Sequence, residues 1–132
     1  VKASEDDLGW LYPGVPAEDA AIRWAARGPA LVVVTRGADG AVAISRKATV
    51  SVPAPVVEVA DTVGAGDTFA GAVLHGLDSG GLLGPGGAER IAALDADALG
   101  ALLHRAATAS ALTCARSGAT PPTADELEAA LR

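Results

Sequence analysis

Apolar residues along the chain switch between a helical period and unbroken runs that suit buried strands, and the switches mark the elements. Leu8 and Leu11 share one face after "SEDD", where Ser4 can cap and three acids fill the first turn, so a short helix from Ser4 stopped by Pro13 is predicted. Ala21, Ile22, Trp24 and Ala25 form the apolar stripe of a second helix, Ala17 to Arg27, with Gly28 placed to end it and Pro29 to prevent its continuation. β-Branched residues crowd Leu31 to Thr35, a turn follows at Gly37 to Gly40, and extended chain resumes at Ala41 to Ser45. The run Leu31 to Val34 has no polar alternation, which predicts burial on both faces at the centre of a helix-covered sheet.

"TVSVPAPVVEV", from Thr49, adds extended chain broken by Pro53 and Pro55. Phe69, Ala72, Val73 and Leu77 recur at helical spacing and predict a helix from Thr68 to Leu77. The glycine-rich "DSGGLLGPGGAER" reads as a mobile surface excursion. Asp95 to Thr113 reads as the longest helix, closed by "RSGATPP", and Asp125 to Leu131 as a terminal helix behind a Thr123 cap. No internal repeat is visible, and the mixture of strands and helices gives an α/β class.

A length of 132 residues, 50% of them hydrophobic, suits one modest core, hence one domain or part of one. Net charge is −6 and the ten basic residues are scattered, so nucleic acid is not an expected partner. No apolar run approaches the roughly 18 residues of a membrane span. The single cysteine, Cys114, cannot form an intrachain disulfide, which points to a reducing, cytoplasmic setting. The chain opens on Val1, lacks methionine and shows no signal segment, so a piece of a longer protein is expected.

Candidate chemistry concentrates in "DTVGAGDTFAG", Asp61 to Gly71. Gly64, Ala65 and Gly66 leave backbone N–H groups uncovered at a helix start, where orphan donors and the positive end of the helix dipole favour an anion such as phosphate. Asp67, in the first turn, would repel that phosphate unless its task were to accept a proton from an approaching nucleophile, a pairing that suggests phosphoryl transfer. Residue by residue, a second reading stands beside this one: Asp67 caps the helix and the glycines relieve a tight turn. A P-loop is excluded because Gly66 is followed by Asp67 rather than lysine, and no GxGxxG is present. "TRGADG", Thr35 to Gly40, read alone, is a hairpin turn. Cys114, His75, His104, Trp10 and Trp24 read as structural residues, Cys114 as a small buried hydrophobe and the tryptophans as core or lid-facing packing.

The whole string from Asp61 to Ala72 resembles the C-terminal signature of the PfkB, or ribokinase-like, carbohydrate kinases. "VKASEDDLGWLYPG", "VVVTRGADGA" and "LTCARSGATPPT" are similar, in the same order, to segments of the fructokinases of that family. The resemblance implies the C-terminal portion of a three-layer α/β/α fold and ATP-dependent phosphorylation of a sugar primary hydroxyl, fructose first. Kinases of the family acting on ribose, 2-keto-3-deoxygluconate or a nucleoside are the alternatives, as is a non-catalytic nucleotide-binding half-domain. It implies Asp67 as general base and the Gly64 to Asp67 amides as anion hole, both roles that the physical reading also asks for. Nucleotide is implied on the loop Thr35, Arg36, Gly37, Ala38, Asp39 and Gly40, and Ala107 leaves adenine to apolar packing. A monovalent cation such as K+ is implied beside Asp61, Val63, Thr113, Arg116 and Gly118, through oxygens that are mostly backbone carbonyls.

Mg2+ would bridge the ATP phosphates and need few protein ligands. The family's Asn-x-x-Glu motif aligns with Lys2 to Glu5, keeping Glu5 and replacing the asparagine by Lys2; a first-turn acid that favours the helix dipole is the other reading of Glu5. Complete family kinases are about twice this length, and the N-terminal half supplies the rest of the sheet, the β lid and most sugar contacts. If that half is absent from the molecule, the strand Leu31 to Val34 is expected to lose neighbours and expose an apolar edge and face, with dimerisation, swapping or poor solubility as the result, and the 132 residues alone are expected to be inactive.

Overall fold

A computed structural model describes all residues from Val1 to Arg132 and forms one four-stranded sheet, β1 (Lys2–Ser4), β2 (Leu31–Thr35), β3 (Ala41–Ser45) and β4 (Thr49–Val52), side by side in that order. β1 runs parallel to β2, and β2, β3 and β4 are successively antiparallel. Six helices cover the sheet: α1 (Glu5–Leu11), α2 (Ala17–Ala25), α3 (Ala65–Ser79), α4 (Gly87–Ala92), α5 (Ala96–Cys114) and α6 (Ala124–Ala130).

The side-chain alternation of β2 and β3 divides the core into two layers. Leu31, Val33, Ala41 and Ala43 face Phe69, Val73 and Leu77 of α3 and Leu99, Leu103 and Ala106 of α5. Val32, Val34, Val42 and Ile44 face Leu8 of α1 and Ala20 and Ala21 of α2. Both faces are therefore helix-covered, which is why β2 carries no polar alternation and is buried from Leu31 to Val34. The result is the α/β/α layering expected from the sequence.

Local capping fixes two short helices. Ser4 accepts from the Asp7 N–H while the Asp7 carboxylate accepts from the Ser4 N–H, and Thr123 and Glu126 form the same reciprocal pair at α6. Asp95 caps α5 through the Ala98 N–H.

Several expectations need correction. The strand Leu31–Thr35 keeps a neighbour on each side, because Lys2–Ser4 pairs with it; the free edges belong to β1 and β4. α3 begins at Ala65 rather than Thr68, since Gly64 in the left-handed region turns the chain directly into the helix. α2 ends at Ala25, two residues early: Ala26 caps it with helical backbone and a bond to the Ile22 carbonyl, and the Arg27 N–H already turns to Trp24, three residues back. The glycine-rich excursion contains α4, with Gly87 and Ala92 buried. Cys114 is half-buried, and Trp10 is 80% exposed rather than packed. Trp24 is held instead, donating from its indole N–H to Tyr12 Oη at 2.9 Å with the rings edge to face. No helix is long and apolar enough to cross a membrane.

Candidate active site

The first turn of α3 separates two cavities. One, of about 680 Å3, is walled by the β2–β3 connection, the segment after β4, the start of α1 and the inner faces of α3 and α5. Thr35, Arg36, Gly37, Ala38 and Gly40 lie on its wall with Ala65 and Gly66, so the structure joins the predicted loop to the predicted anion cradle. Asp39 lies off that wall; its carbonyl accepts from the Arg36 guanidinium at 3.4 Å. The second cavity, of about 520 Å3, is bordered by Gly64, Asp67, Thr68, His75 and Arg105. Asp67 thus borders the second cavity and not the first, and is exposed, with no ion pair or hydrogen bond to its carboxylate.

The cradle is built as local physics requires. Gly64 has φ 79°, a region L-residues rarely adopt, and a Cβ there would lie 2.7 Å from the Ala119 Cβ. No side chain caps α3. The Ala65 N–H donates to the Thr62 carbonyl at 3.2 Å, whereas those of Gly64, Gly66 and Asp67 have no acceptor within the chain. Three donors at the positive end of a 15-residue helix remain for an anion.

α5 holds this turn in place. Ser110 Oγ donates to the Ala65 carbonyl at 3.0 Å, and the fully buried Thr113 hydroxyl meets Thr68 Oγ1 at 3.1 Å and the Ala109 carbonyl at 3.1 Å. Local sequence marks Ser110 only by its hydroxyl, which it shares with Thr108 and Thr113 in an alanine- and leucine-rich helix. Val56 and Val57, after Pro55, also reach the first cavity, and nothing local marks them.

The β2–β3 connection is a hairpin closed by a 3-10 turn, Gly37–Asp39, so the hairpin and loop-wall readings of "TRGADG" are both true of it. Gly40 has φ 88°, and a Cβ there would collide with the Val52 carbonyl. Arg36 donates to Ser51 Oγ at 2.6 Å, and its buried Nε has no partner. The guanidinium therefore staples the turn to β4 beside the cavity and retains an unused donor.

Asp61 ties the segment before the cradle to the loop after α5. Its carboxylate accepts from the N–H groups of Val63 and Gly118, each at 3.0 Å, and these donors hold it ionised below the usual carboxylate range. The Cys114 carbonyl accepts from the Ala60 and Asp61 N–H groups, and the Thr113 carbonyl from Arg116. Asp61, Val63, Thr113, Arg116 and Gly118 are thus drawn into one neighbourhood, but the only carboxylate among them is already engaged by backbone. The Arg116 side chain turns away to Glu126 at 2.8 Å.

No group of three or more His, Cys, Asp or Glu side chains converges. Glu5 and Asp6, at the start of α1, are the acids on the first cavity's wall. This donor set does not make a protein cage for a divalent ion; it suits one that arrives on phosphates and keeps its waters. His75 contacts Ser79 Oγ at 3.4 Å, and His104 is exposed.

Known proteins are similar to this chain in sequence and fold. A fructokinase of Rhizobium leguminosarum bv. trifolii is 40% identical over 99 residues, 75% of this chain and 29% of its own length. An aminoimidazole riboside kinase of Salmonella typhimurium is 38% identical over 76 residues, 58% of this chain and 24% of its own. A fructokinase of Vibrio cholerae solved with fructose, ADP and a potassium ion superposes with a TM-score of 0.77 at 29% identity, over 100% of this chain and 40% of that one. The Thermotoga maritima ribokinase gives 0.78 at 25% identity, over 98% of this chain and 41% of that one. The chain therefore spans well under half the length of these relatives. Residues 1–126 match the pfkB family carbohydrate kinase profile, and the chain belongs to that family.

Proposed function

We propose that residues 1–132 form the nucleotide-binding and catalytic part of a cytoplasmic ATP-dependent kinase that phosphorylates a sugar primary hydroxyl, with fructose the preferred acceptor. The observation that carries this reading is the first turn of α3: its unsatisfied amides stand between the cavity that holds the Thr35–Gly40 loop and the exposed carboxylate of Asp67.

In this reading, Thr35, Arg36, Gly37, Ala38 and Gly40 let nucleotide approach backbone, with Asp39 closing the turn. Ala107 and Ala111 give the base an apolar wall. The amides of Gly64, Gly66 and Asp67 receive the transferring phosphoryl group, with the helix dipole favouring its charge and Ala65 shaping the turn. Asp67 accepts the hydroxyl proton on the side away from the nucleotide, so its own charge is kept off the phosphates. When bound, Mg2+ neutralises phosphate charge, with Glu5 and Asp6 the acids within reach of its water shell. Carbonyls of Val63, Thr113, Arg116 and Gly118 beside Asp61 would hold K+, a role supported by the Asp61 bonds to the Val63 and Gly118 N–H groups, which draw the two segments together.

The sugar, in our proposal, is held by sequence outside these residues, since the relatives are more than twice as long. A riboside acceptor is the second reading, favoured by the 38% identity to an aminoimidazole riboside kinase. The test is sugar-dependent ADP release, measured for the chain alone and for a full-length protein carrying it, over a panel of fructose, ribose, 2-keto-3-deoxygluconate and nucleosides. Asp67→Asn in the full-length protein should retain ATP binding and lower turnover on the order of 10² or more. Unchanged turnover would remove Asp67 from the reaction, and turnover by the chain alone would refute the need for further sequence.

A further inference from the structure

β1 delivers a cation to the same place. Ala3 is buried against α1 and α2, so the strand period turns Lys2 to the opposite face of the sheet, the face on which α3 begins. There the Lys2 ammonium lies beside the open amide turn: a Cβ built on Gly66 would sit 3.4 Å from its Nζ. Lys2 forms no ion pair, although Arg46, Arg105 and Arg116 each find a carboxylate. Asp7 feels the Lys2 charge, but the Asp7 carboxylate already accepts the Ser4 N–H at 2.8 Å and makes no ion pair with Lys2. An unpaired ammonium beside Gly66, in a turn whose Gly64, Gly66 and Asp67 N–H groups are also unpaired, adds positive charge to that turn, and a dianionic phosphoryl group is the chemistry that suits it.

We infer that Lys2 is a phosphate-contacting residue of this site, binding the terminal phosphoryl group of ATP together with the Gly66 amide. The inference rests on the kinase reading above and adds to it a charged residue in place of help from side chains elsewhere in the cradle. Lys2 is off the wall of the cavity that the Thr35–Gly40 loop lines and stands beside Gly66, so its effect is confined to the phosphate that reaches α3. ADP, which lacks that group, is bound without it.

Titration of the chain with Mg-ATP and Mg-ADP by calorimetry tests this. Lys2→Met should weaken ATP about tenfold or more and leave ADP within about twofold, and Lys2→Arg should recover most of the loss. Thermal unfolding of each variant identifies a misfolded protein, and because Lys2 is exposed on an edge strand, the melting temperature should stay that of the wild type. Equal ATP affinity in Lys2→Met, or equal loss of ATP and ADP with the fold intact, would overturn the inference. If the unmodified chain binds neither nucleotide, the kinase reading of the cavity fails first, and the role of Lys2 with it.

Discussion

The Asp61 carboxylate accepts a hydrogen bond from the Gly118 N–H at 3.0 Å, joining positions 57 residues apart and bringing the segment before α3 against the loop that leaves α5. Through its second bond, to the Val63 N–H, the same side chain sets the approach to Gly64. One carboxylate thus positions the anion cradle without touching its contents.

This makes the cradle acid-sensitive. Asp61 is held below its ordinary value by the Val63 and Gly118 amides, so its contribution to stability is present above the unfolded carboxylate range and is lost as pH falls through the lowered folded value. Asp7 and Glu126, lowered by their cap partners, act in the same direction. Melting temperature measured against pH should fall below about pH 4. Asp61→Asn should melt lower than wild type at neutral pH, with the gap closing in acid. A gap independent of pH would show that the charge on Asp61 is not what holds the loops.

Gly64→Ala should be costly in two separable ways. The left-handed backbone costs about 1–2 kcal/mol for a residue with a Cβ, and the new methyl meets Ala119 at 2.7 Å. Urea unfolding should show a loss of about 2 kcal/mol or more, of which Ala119→Gly in the same chain restores only the steric share. Complete restoration would mean that the backbone conformation at Gly64 carries no strain.

The Thr113–Thr68 hydroxyl pair can be tested by a double-mutant cycle. Thr113→Val keeps the shape of a fully buried side chain and leaves Thr68 without its partner, for an expected loss of about 1–2 kcal/mol. Adding Thr68→Val should cost less than the sum of the two single changes. Additive losses in chemical unfolding would indicate that the two hydroxyls do not interact in solution.

Leu103, fully buried between the sheet and α3, sets the scale for the layer on which the site stands. Leu103→Ala should destabilise by about 2–5 kcal/mol and weaken nucleotide binding only in proportion to the unfolded fraction. A large loss of affinity in protein that remains folded would show that the α3–α5 spacing is itself tuned for the ligand.

Much of this was legible in the chain because its causes are local. Ser4 and Thr123 cap helices through residues three positions on, and Gly64 turns the chain because no Cβ crowds a positive φ. Unbroken apolar character in Leu31–Val34 follows from helices on both faces. The string Asp61 to Ala72 resembles the family signature through adjacent residues alone, and residues 1–126 match the family.

Tertiary structure decided what depends on register and layer spacing. Pairing of Lys2–Ser4 with β2 moved the free edge away from Leu31–Val34 and carried Lys2 to Gly66; a strand of three residues has too little pattern to announce itself. The division of the α3 turn into a side facing the Thr35–Gly40 loop and an Asp67 side exists only once α5 and the β2–β3 hairpin enclose it. Likewise the bond from Gly118 to Asp61 crosses 57 residues and depends on where two loops arrive, a geometry set by packing of the whole sheet and both helix layers rather than by either residue's neighbours.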